Sequence, residues 1–413
     1  MAQHHIICGI DIGNTQTKVV VAKPSQDGSR PQIIGVGTAS STSAVRNSVI
    51  VDMQEATNNL RLAIHQAEQM ASVPVQRAYL AVSGDHIRSQ ISRGVVAVSR
   101  ADQEISQSDV DRVIQAASAL NLPPNRRVIH TIPREFIVDE RDSVRDPVGM
   151  KGVRLEVDVH IVDGFDPHLQ KHQRCVQEQG IQVAEMVYAP LAASLTALDR
   201  HQKEFGVVHL DFGGATASLS VFHEGELIHT AVLPIGSRHI TNDLAVLLRT
   251  SPDNAERVKL ELGTTGEADD RRRRDQLDLS QYVGEDLQVP RRTFVGAIDA
   301  RMDELMEKVR DELKKSGMSG QLPSGVVVSG GGSLLPGFAL RVRDEARLAV
   351  RAVRPMNVDA AVDAVLDPAY TVALGLVVWG FGREEDRIGR QGPKMAAPEW
   401  MKKSFSWLKN FAP

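Results

Sequence analysis

The sequence lacks several features that mark particular classes of protein. Its 413 residues include two cysteines, Cys8 and Cys175, which are too few for a disulfide framework and indicate a reducing compartment. The longest apolar run, at 372–381, is much shorter than the roughly 20 residues that cross a bilayer. The first residues are polar and do not resemble a secretory signal. We therefore expect the body of the protein to be soluble and cytosolic.

An excess of basic residues is also missing. The chain has 48 basic and 52 acidic side chains and a net charge of −4. This balance argues against nucleic acid as the main partner, because phosphate binding needs a basic face. Apolar residues make up 42% of the chain, an ordinary share for a soluble globular protein, and the length allows two or three domains with their own cores.

One short pattern is present twice. Apolar strands end in Asp11 and Asp211, and each is followed by a glycine turn that begins at Gly13 or Gly213. The offset is 211 − 11 = 200 residues, and it aligns aspartate with aspartate and glycine with glycine. A strand–turn–strand unit in each half of the chain predicts two similar domains that face one another.

The turn at Gly13 has the chemistry of a phosphate site. A backbone without a Cβ allows a ligand to come close, and successive N–H groups form an anion-binding hollow. A neighbouring carboxylate would repel phosphate unless Mg2+ lies between them, held through water. Lys18 can add a positive charge. The alternative is a plain hairpin with a solvated aspartate, which the second copy of the pattern makes less attractive.

Residues 84–162 read as a separate module. The residues at 108–111 are expected to cap a helix with an apolar face, and strand-like runs follow at 128–132, 135–138 and 153–162. Nothing catalytic stands out in this stretch. A small interaction domain is the prediction.

On the next predicted helix, His168, His172 and Cys175 recur at i, i+4 and i+7. This spacing can ligate zinc, but no fourth ligand is near, and a solvated helix face is the favoured interpretation. Alanine-rich helices are predicted at 189–194 and 369–376, and we expect them to pack against one another.

Glu256 and Lys259 share one face of a helix predicted at 254–263. They could bracket a ribose, although an ordinary surface ion pair is the favoured interpretation. The four arginines at 271–274 follow acidic residues and are interpreted as part of a solvated loop.

A third glycine-rich turn follows a predicted strand at 326–328. Gly330, Gly331 and Gly332 leave the backbone bare, which suits a flat group lying against it. The segment matches neither the Walker A pattern nor the dinucleotide GxGxxG pattern.

The end of the chain has a different composition. Residues 383–398 are polar and rich in glycine, proline and charge, and are predicted to be a linker. In the final 15 residues, 399–413, a helical projection places apolar side chains on one arc and lysines on the other. The apolar set is Trp400, Met401, Phe405, Trp407, Leu408 and Phe411, and the basic set is Lys402, Lys403 and Lys409. This pattern favours a helix that lies in a membrane interface over one docked on the body.

Taken together, these motifs resemble the actin/Hsp70/sugar-kinase ATPase superfamily and, within it, the FtsA family of actin-like bacterial cell-division proteins. The most specific matches are RVIHTIP at 127–133, DPVGMKGVR at 146–154 and the tail helix. The resemblance covers nearly the whole chain. It implies an α/β, duplicated actin-like ATPase fold with two facing lobes, an inserted 1C subdomain and a C-terminal amphipathic helix.

The resemblance also implies subdomain bounds. These are 1–83 and 163–205 for 1A, with a closing helix at 359–382; 84–162 for 1C; 206–235 and 301–358 for 2A; and 236–300 for 2B.

By position in the family motifs, the resemblance implies ATP or ADP with Mg2+ as ligands. Asp11 and Asp211 would face Mg2+ through water. The remaining nucleotide-binding set would be Gly13, Asn14, Thr15, Lys18, Gly213, Gly214 and Thr216 at the phosphates, Glu256 and Lys259 at the ribose, and Gly330, Gly331 and Gly332 at the adenine.

The implied partners are further copies of the chain, which polymerise through 1C, and the C-terminal peptide of tubulin-like FtsZ, which 2B captures. The tail would bind anionic lipids and fix FtsZ filaments to the cytoplasmic face of the inner membrane at the division site. The chain would also help to recruit later division proteins to this site. The alternatives are a pilus-biogenesis scaffold with the same core and a sugar-kinase-like enzyme.

Three positions depart from the superfamily pattern. Ala189 stands where actin-like relatives place Gln or Glu to orient the attacking water, and Ala215 and Ser218 stand where many relatives have glycine and aspartate. We therefore expect ATP binding with slow or absent turnover, since a missing base lowers a rate by roughly 10²–10⁴-fold.

Overall fold

Strands and helices follow one another through residues 6–25, 28–266, 276–283, 286–360 and 363–391, which are the residues that the structure, a computed structural model, describes. Up to residue 205 the elements are β1 (Ile7–Ile12), β2 (Gln16–Pro24), β3 (Pro31–Ser40), β4 (Val45–Arg46), β5 (Val49–Ile50), α1 (Met53–Ala71), β6 (Arg77–Val82), β7 (Arg88–Ala97), α2 (Gln107–Ser118), β8 (Arg126–Val138), β9 (Asp142–Val144), β10 (Arg154–Phe165), α3 (Asp166–Gln177), β11 (Gln182–Tyr188), α4 (Ala189–Ala197) and α5 (Arg200–Phe205). From residue 206 they are β12 (Val207–Phe212), β13 (Ala217–His223), β14 (Glu226–Leu233), α6 (Ser237–Leu248), α7 (Pro252–Leu262), β15 (Gln276–Asp278), α8 (Ser280–Val283), β16 (Gln288–Pro290), α9 (Arg291–Lys315), β17 (Val326–Ser329), α10 (Phe338–Ala346), β18 (Val350–Ala352), β19 (Asp359–Ala360) and α11 (Thr371–Gln391).

The two related stretches fold into hairpins with the same register. β1 pairs with β2 so that Asp11 lies opposite Lys18, and β12 pairs with β13 so that Asp211 lies opposite Ser218. Every residue pair of the first hairpin from Ile7 to Ile12 has its equivalent 200 positions later. The repeat predicted from the sequence is therefore confirmed.

Each hairpin lies at the centre of a sheet of matching topology. The first sheet has the order β11-β6-β1-β2-β3-β19, and the second has the order β14-β13-β12-β17-β18. In both, the first hairpin strand has a parallel neighbour on its other side, β6 or β17. This duplication places the two aspartates at equivalent ends of two central strands, which is what positions the site.

The insert between β6 and α3 is a four-stranded antiparallel sheet, β7-β10-β8-β9, with α2 packed against it. The expected helix is present, but its capping box begins at Ser106, whose hydroxyl and backbone N–H both contact Asp109. The cap predicted at 108–111 was therefore wrong by two residues: the N-cap is Ser106, and the serine at 108 already lies inside the helix.

Helices α4 and α11 pack against one another in one hydrophobic core, as their alanine and glycine content predicted. All of α4 is buried. A Cβ at Gly375 would lie 2.0 Å from the backbone oxygen of Ala192, so the two backbones touch where glycine stands. Side chains larger than hydrogen are excluded there by the packing itself.

Gly375→Ala should therefore destabilise the protein by about 2–3 kcal/mol, the usual effect of overpacking a close contact. Gly296 in α9 is the matched control, because a Cβ there meets no atom within 4 Å. Gly296→Ala should stabilise by about 0.5–1 kcal/mol through the better helix propensity of alanine. Urea unfolding of both variants checks the pair, and equal stability of Gly375→Ala and wild type would contradict the packing argument.

The predicted linker at 383–398 begins too early, because α11 continues to Gln391. Arg383 contributes to this continuation by contacting Glu185 at 3.2 Å, and Glu384 accepts a hydrogen bond from Arg77 at 2.7 Å. Charged residues that looked like linker thus tie the helix to β11 and β6. The rest of that linker and the predicted amphipathic helix at 399–413 lie outside the described residues. Among the helices that the structure describes, none is long and apolar enough to cross a membrane.

Candidate functional site

The two glycine turns are built alike. Gly13 donates its N–H to the carbonyl of Gln16 at 3.2 Å, and Gly213 donates to the carbonyl of Thr216 at 3.0 Å. A Cβ on Gly13 would lie 2.8 Å from the Gln16 backbone oxygen, so the turn has no room for a larger residue at position 13. Both turns leave backbone N–H groups at the ends of buried strands, which is an arrangement that binds anions.

The two carboxylates occupy the same cleft and influence one another. Burial raises the pKa of Asp11, although Lys18 partly opposes this. Burial also raises the pKa of Asp211 to about 6; a hydrogen bond from Ser329 lowers it, and repulsion by Asp11 adds to the rise. Two buried carboxylates with mutual repulsion favour a cation between them.

A second layer holds Asp211 in place. The Ser329 hydroxyl donates to Asp211 Oδ1 at 2.7 Å, and its oxygen lies 2.8 Å from His209 Nε2. Since the hydroxyl has one hydrogen, His209 must donate from Nε2, which defines its tautomer. Burial lowers the pKa of His209 to about 3, so the imidazole is neutral.

The lobes meet directly above the turns. A Cβ at Gly214 would lie 2.3 Å from the Thr15 hydroxyl of the opposite lobe. Arg238, at the start of α6, donates to the carbonyls of Thr42 at 3.1 Å and Asn14 at 3.4 Å. Asn14 is fixed in turn by two hydrogen bonds with Ser48. The two turns are therefore held face to face.

Glu256 and Lys259 lie at the wall of the cleft and not on an open surface. Lys259 is 7% exposed and contacts Glu256 at 2.6 Å and Thr241 at 2.9 Å. Burial lowers the pKa of Lys259, while Glu256 raises it. The favoured interpretation of a surface ion pair was therefore wrong. Its helix, α7, ends at Gly263 as expected.

The triple glycine forms the third side of the cleft. Gly330 has a φ of +83°, and a Cβ there would lie 2.5 Å from the Phe212 oxygen. A Cβ on Gly332 would also strike Phe212, at 2.5 Å. By contrast, the nearest atom to a Cβ on Gly331 is Ala369 at 3.8 Å. The turn therefore packs on one lobe and leaves open space beside Gly331.

These parts enclose one cleft of about 470 Å3, a volume typical of small-molecule sites. Every residue predicted to bind nucleotide lines it: Asp11, Gly13, Asn14, Thr15, Lys18, Asp211, Gly213, Gly214, Thr216, Glu256, Lys259, Gly330, Gly331 and Gly332. Ala189 and Ser218 also line it. The structure thus brings the whole predicted set together, while its binding of a nucleotide stays a prediction.

Sequence reasoning missed several lining residues. Leu260, Leu334 and Leu335 are apolar residues that line the cleft, and their helical or turn positions carried no chemical signal. His172 was taken as part of a solvated helix face, which was wrong. It is 4% exposed, and Cys175 on the same face is fully buried. Among the described residues no cluster of three or more His, Cys, Asp or Glu side chains could hold a metal.

Both cysteines are free and buried, and burial raises their pKa. This agrees with the expectation that they form no disulfide. The four arginines at 271–274 and the nine membrane-binding residues predicted at 400–411 lie outside the described residues.

Comparison with known proteins supplies the family context. A family model described as "SHS2 domain inserted in FTSA" matches residues 84–163, and one described as "Cell division protein FtsA" matches residues 208–375. The chain is 32% identical over 392 residues to the cell division protein FtsA of Pseudomonas aeruginosa, covering 92% of this chain and 90% of that protein. It is 36% identical over 382 residues to the cell division protein FtsA of Bacillus subtilis, covering 91% of this chain and 84% of that protein.

Solved structures match the fold at low identity. The PilM-PilN type IV pilus biogenesis complex gives a TM-score of 0.67 at 16% identity, covering 91% of this chain and 98% of that chain. MreB5 of Spiroplasma citri bound to ADP gives a TM-score of 0.55 at 12% identity, covering 93% of this chain and 98% of that chain. The expected duplicated actin-like fold with an inserted subdomain is thereby confirmed.

Proposed function

Because this chain belongs to the FtsA family of cell-division proteins, we propose that it is an ATP-binding, polymerising scaffold that attaches FtsZ filaments to the inner membrane. The observation that carries the nucleotide part is the pair of facing Asp–Gly turns in one cleft. The family supports the cell-division role.

The geometry supports one arrangement of the ligand. Phosphates would lie between the turns at Gly13 and Gly213, where backbone N–H groups and Lys18 offer positive potential. The adenine would lie against Gly331, in the part of the cleft that leucines also line, and the ribose near Glu256.

The carboxylates of Asp11 and Asp211 fit a Mg2+ ion held through water, because burial and mutual repulsion raise the pKa of Asp211. When bound, Mg2+ neutralises phosphate charge. The chain itself orients the Asp211 carboxylate through Ser329 and buries both carboxylates away from bulk water.

The remaining assignments rest on the family. We assign 84–162 to a polymerising 1C subdomain, 236–300 to a 2B subdomain that binds the FtsZ C-terminal peptide, and the other bounds as expected above. The tail at 399–413 would bind anionic lipids on the cytoplasmic face at the division site. Later division proteins would join there.

Polymerisation and membrane binding reinforce one another in this scheme. Burying a large apolar side chain yields about 1.5–3 kcal/mol, whereas ordering each tail residue costs about 1–2 kcal/mol. A single tail therefore binds weakly. A filament presents many tails at high effective concentration, which makes attachment strong.

A reconstitution tests this function. Vesicles with anionic lipid, Mg-ATP and labelled FtsZ should show FtsZ on the membrane only when the full-length protein is present. FtsZ lacking its C-terminal peptide is the matched control and should stay in solution. Binding of the control FtsZ, or consumption of ATP that depends on one member of a sugar panel, would contradict the scaffold. Capture of a pilus protein in place of FtsZ would favour the pilus-biogenesis alternative.

A further inference from the structure

His172 lies at the wall of the same cleft as the two aspartates, although it belongs to a different element. It is carried by α3, which follows the insert, and it lines the cleft together with Ser83 and Ala189. The side chain is 96% shielded from solvent, since His172 is 4% exposed. Its position was assigned no role by the sequence motifs.

One hydrogen bond defines the state of the imidazole. His172 Nδ1 lies 2.9 Å from the backbone oxygen of His168, one turn earlier in α3. A carbonyl oxygen only accepts, so Nδ1 must carry the hydrogen. Nε2 then bears the lone pair. No side chain or backbone group of the described residues gives Nε2 a hydrogen bond.

The surroundings keep this imidazole neutral. Burial lowers the pKa of His172, the hydrogen bond to His168 opposes this, and the nearby His168 and Lys171 lower it further. His86, on the connection after β6, is a third neighbour, and its own pKa is lowered to about 4, chiefly by burial. A neutral histidine with a free Nε2 can accept a proton or a hydrogen bond from water.

Among the described residues that line the cleft, His172 is the only one with an imidazole, the side chain that is a neutral base near pH 7. Ala189, the first residue of α4, also lines the cleft and presents only a methyl group. Ser218 is 5% exposed and lies on the opposite lobe. From this arrangement we infer that His172 Nε2 orients the water that attacks the terminal phosphate of ATP. This inference rests on the nucleotide binding proposed above.

The step balances without a further reactant. The water oxygen forms a bond to the terminal phosphorus, and the bond from that phosphorus to the bridging oxygen breaks. The electron pair of the broken bond leaves on the ADP oxygen. Nε2 takes the proton that water loses and returns it to inorganic phosphate, which restores the neutral ring. His172 therefore contributes a slow, residual turnover.

Single-turnover hydrolysis of radiolabelled ATP, with ATP affinity measured in parallel, tests the inference. His172→Leu should lower the hydrolysis rate by about 100-fold while the ATP affinity changes less than about threefold. His172→Gln keeps an oxygen that accepts a hydrogen bond from water, so it should retain more turnover than leucine. His201→Leu is the matched control for loss of an imidazole, because His201 is exposed on α5 and is not among the residues that line the cleft, and its rate should stay near wild type.

The outcomes separate this inference from the proposed function. If wild type fails to bind ATP, the proposed function fails. If ATP binds but His172→Leu hydrolyses it at the wild-type rate, or wild type hydrolyses none in a day, the water-orienting role alone is wrong. A hydrolysis rate of His172→Gln that is no higher than that of His172→Leu also contradicts the water-orienting role. Nitrogen-15 NMR of wild type should show Nδ1 protonated and Nε2 bare; the reverse tautomer overturns the inference independently of activity.

Discussion

Asp211→Asn should lower the affinity for Mg-ATP by at least about 100-fold and, without metal or nucleotide, raise the stability of the protein. At an effective dielectric constant near 20, one charge contributes several kcal/mol to a divalent ion about 5 Å away, which is more than the 2.7 kcal/mol of a 100-fold change. The asparagine keeps the shape of the side chain and an oxygen that accepts from Ser329. The loss is therefore one of charge and not of packing.

The stability gain follows from the raised pKa of Asp211. Its folded value of about 6 lies above the ordinary 3.8, so the folded state binds more protons than the unfolded state between these values. Stability from this group is highest at low pH and is lost as pH rises through that window. Asp211→Asn removes the contribution of this carboxyl to the pH dependence of the stability. Unfolding in EDTA at pH 4 to 7 should therefore show a smaller decline with pH than wild type.

Asp344→Asn provides the control for this prediction. Asp344 lies in α10 of the same lobe, and its side chain is 51% exposed. The Asp344→Asn substitution should change neither the ATP affinity nor the pH dependence of the stability measurably. Calorimetric binding that is the same for wild type and Asp211→Asn would show that the facing carboxylates do not form the metal site.

Trp407→Glu should reduce binding to anionic vesicles by more than about 30-fold and leave ATP affinity unchanged. The change removes a large aromatic side chain from the predicted apolar arc, worth about 1.5–3 kcal/mol, and places a charge in its position. Vesicle co-sedimentation measures the effect. ATP binding should be insensitive because, within the part of the chain that the structure describes, the residues that line the cleft all precede residue 373.

Ser406→Glu is the matched variant for the tail. It adds the same charge one residue away, where the helical projection lies among Lys402, Lys403 and Lys409. A charge near an anionic surface changes binding by about 1 kcal/mol, so a loss of only a few-fold is expected. Equal losses for both glutamates would contradict an amphipathic helix. Loss of ATP binding with Trp407→Glu would mean that the tail is part of the folded body.

The pattern of the chain was enough to predict the duplicated lobes and their turns. Aspartate and glycine at the ends of apolar strands, repeated at a spacing of 200, identify both hairpins because register follows from local alternation and from turn chemistry. The small residues of α4 and α11 likewise indicated close packing, which Gly375 and Ala192 confirm.

Burial and neighbours across the fold were decided by tertiary structure. His172 and Lys259 looked like solvated residues because helical spacing shows which residues share a face but not what covers that face. For His172 that cover comes from α1, β6 and β11, which pack against α3, and for Lys259 it comes from α6, which packs against α7. The sequence by itself therefore determined the two Asp–Gly turns, whereas only the tertiary structure placed a bare histidine nitrogen and a buried lysine in the cleft between them, since that depends on contacts far apart in the chain.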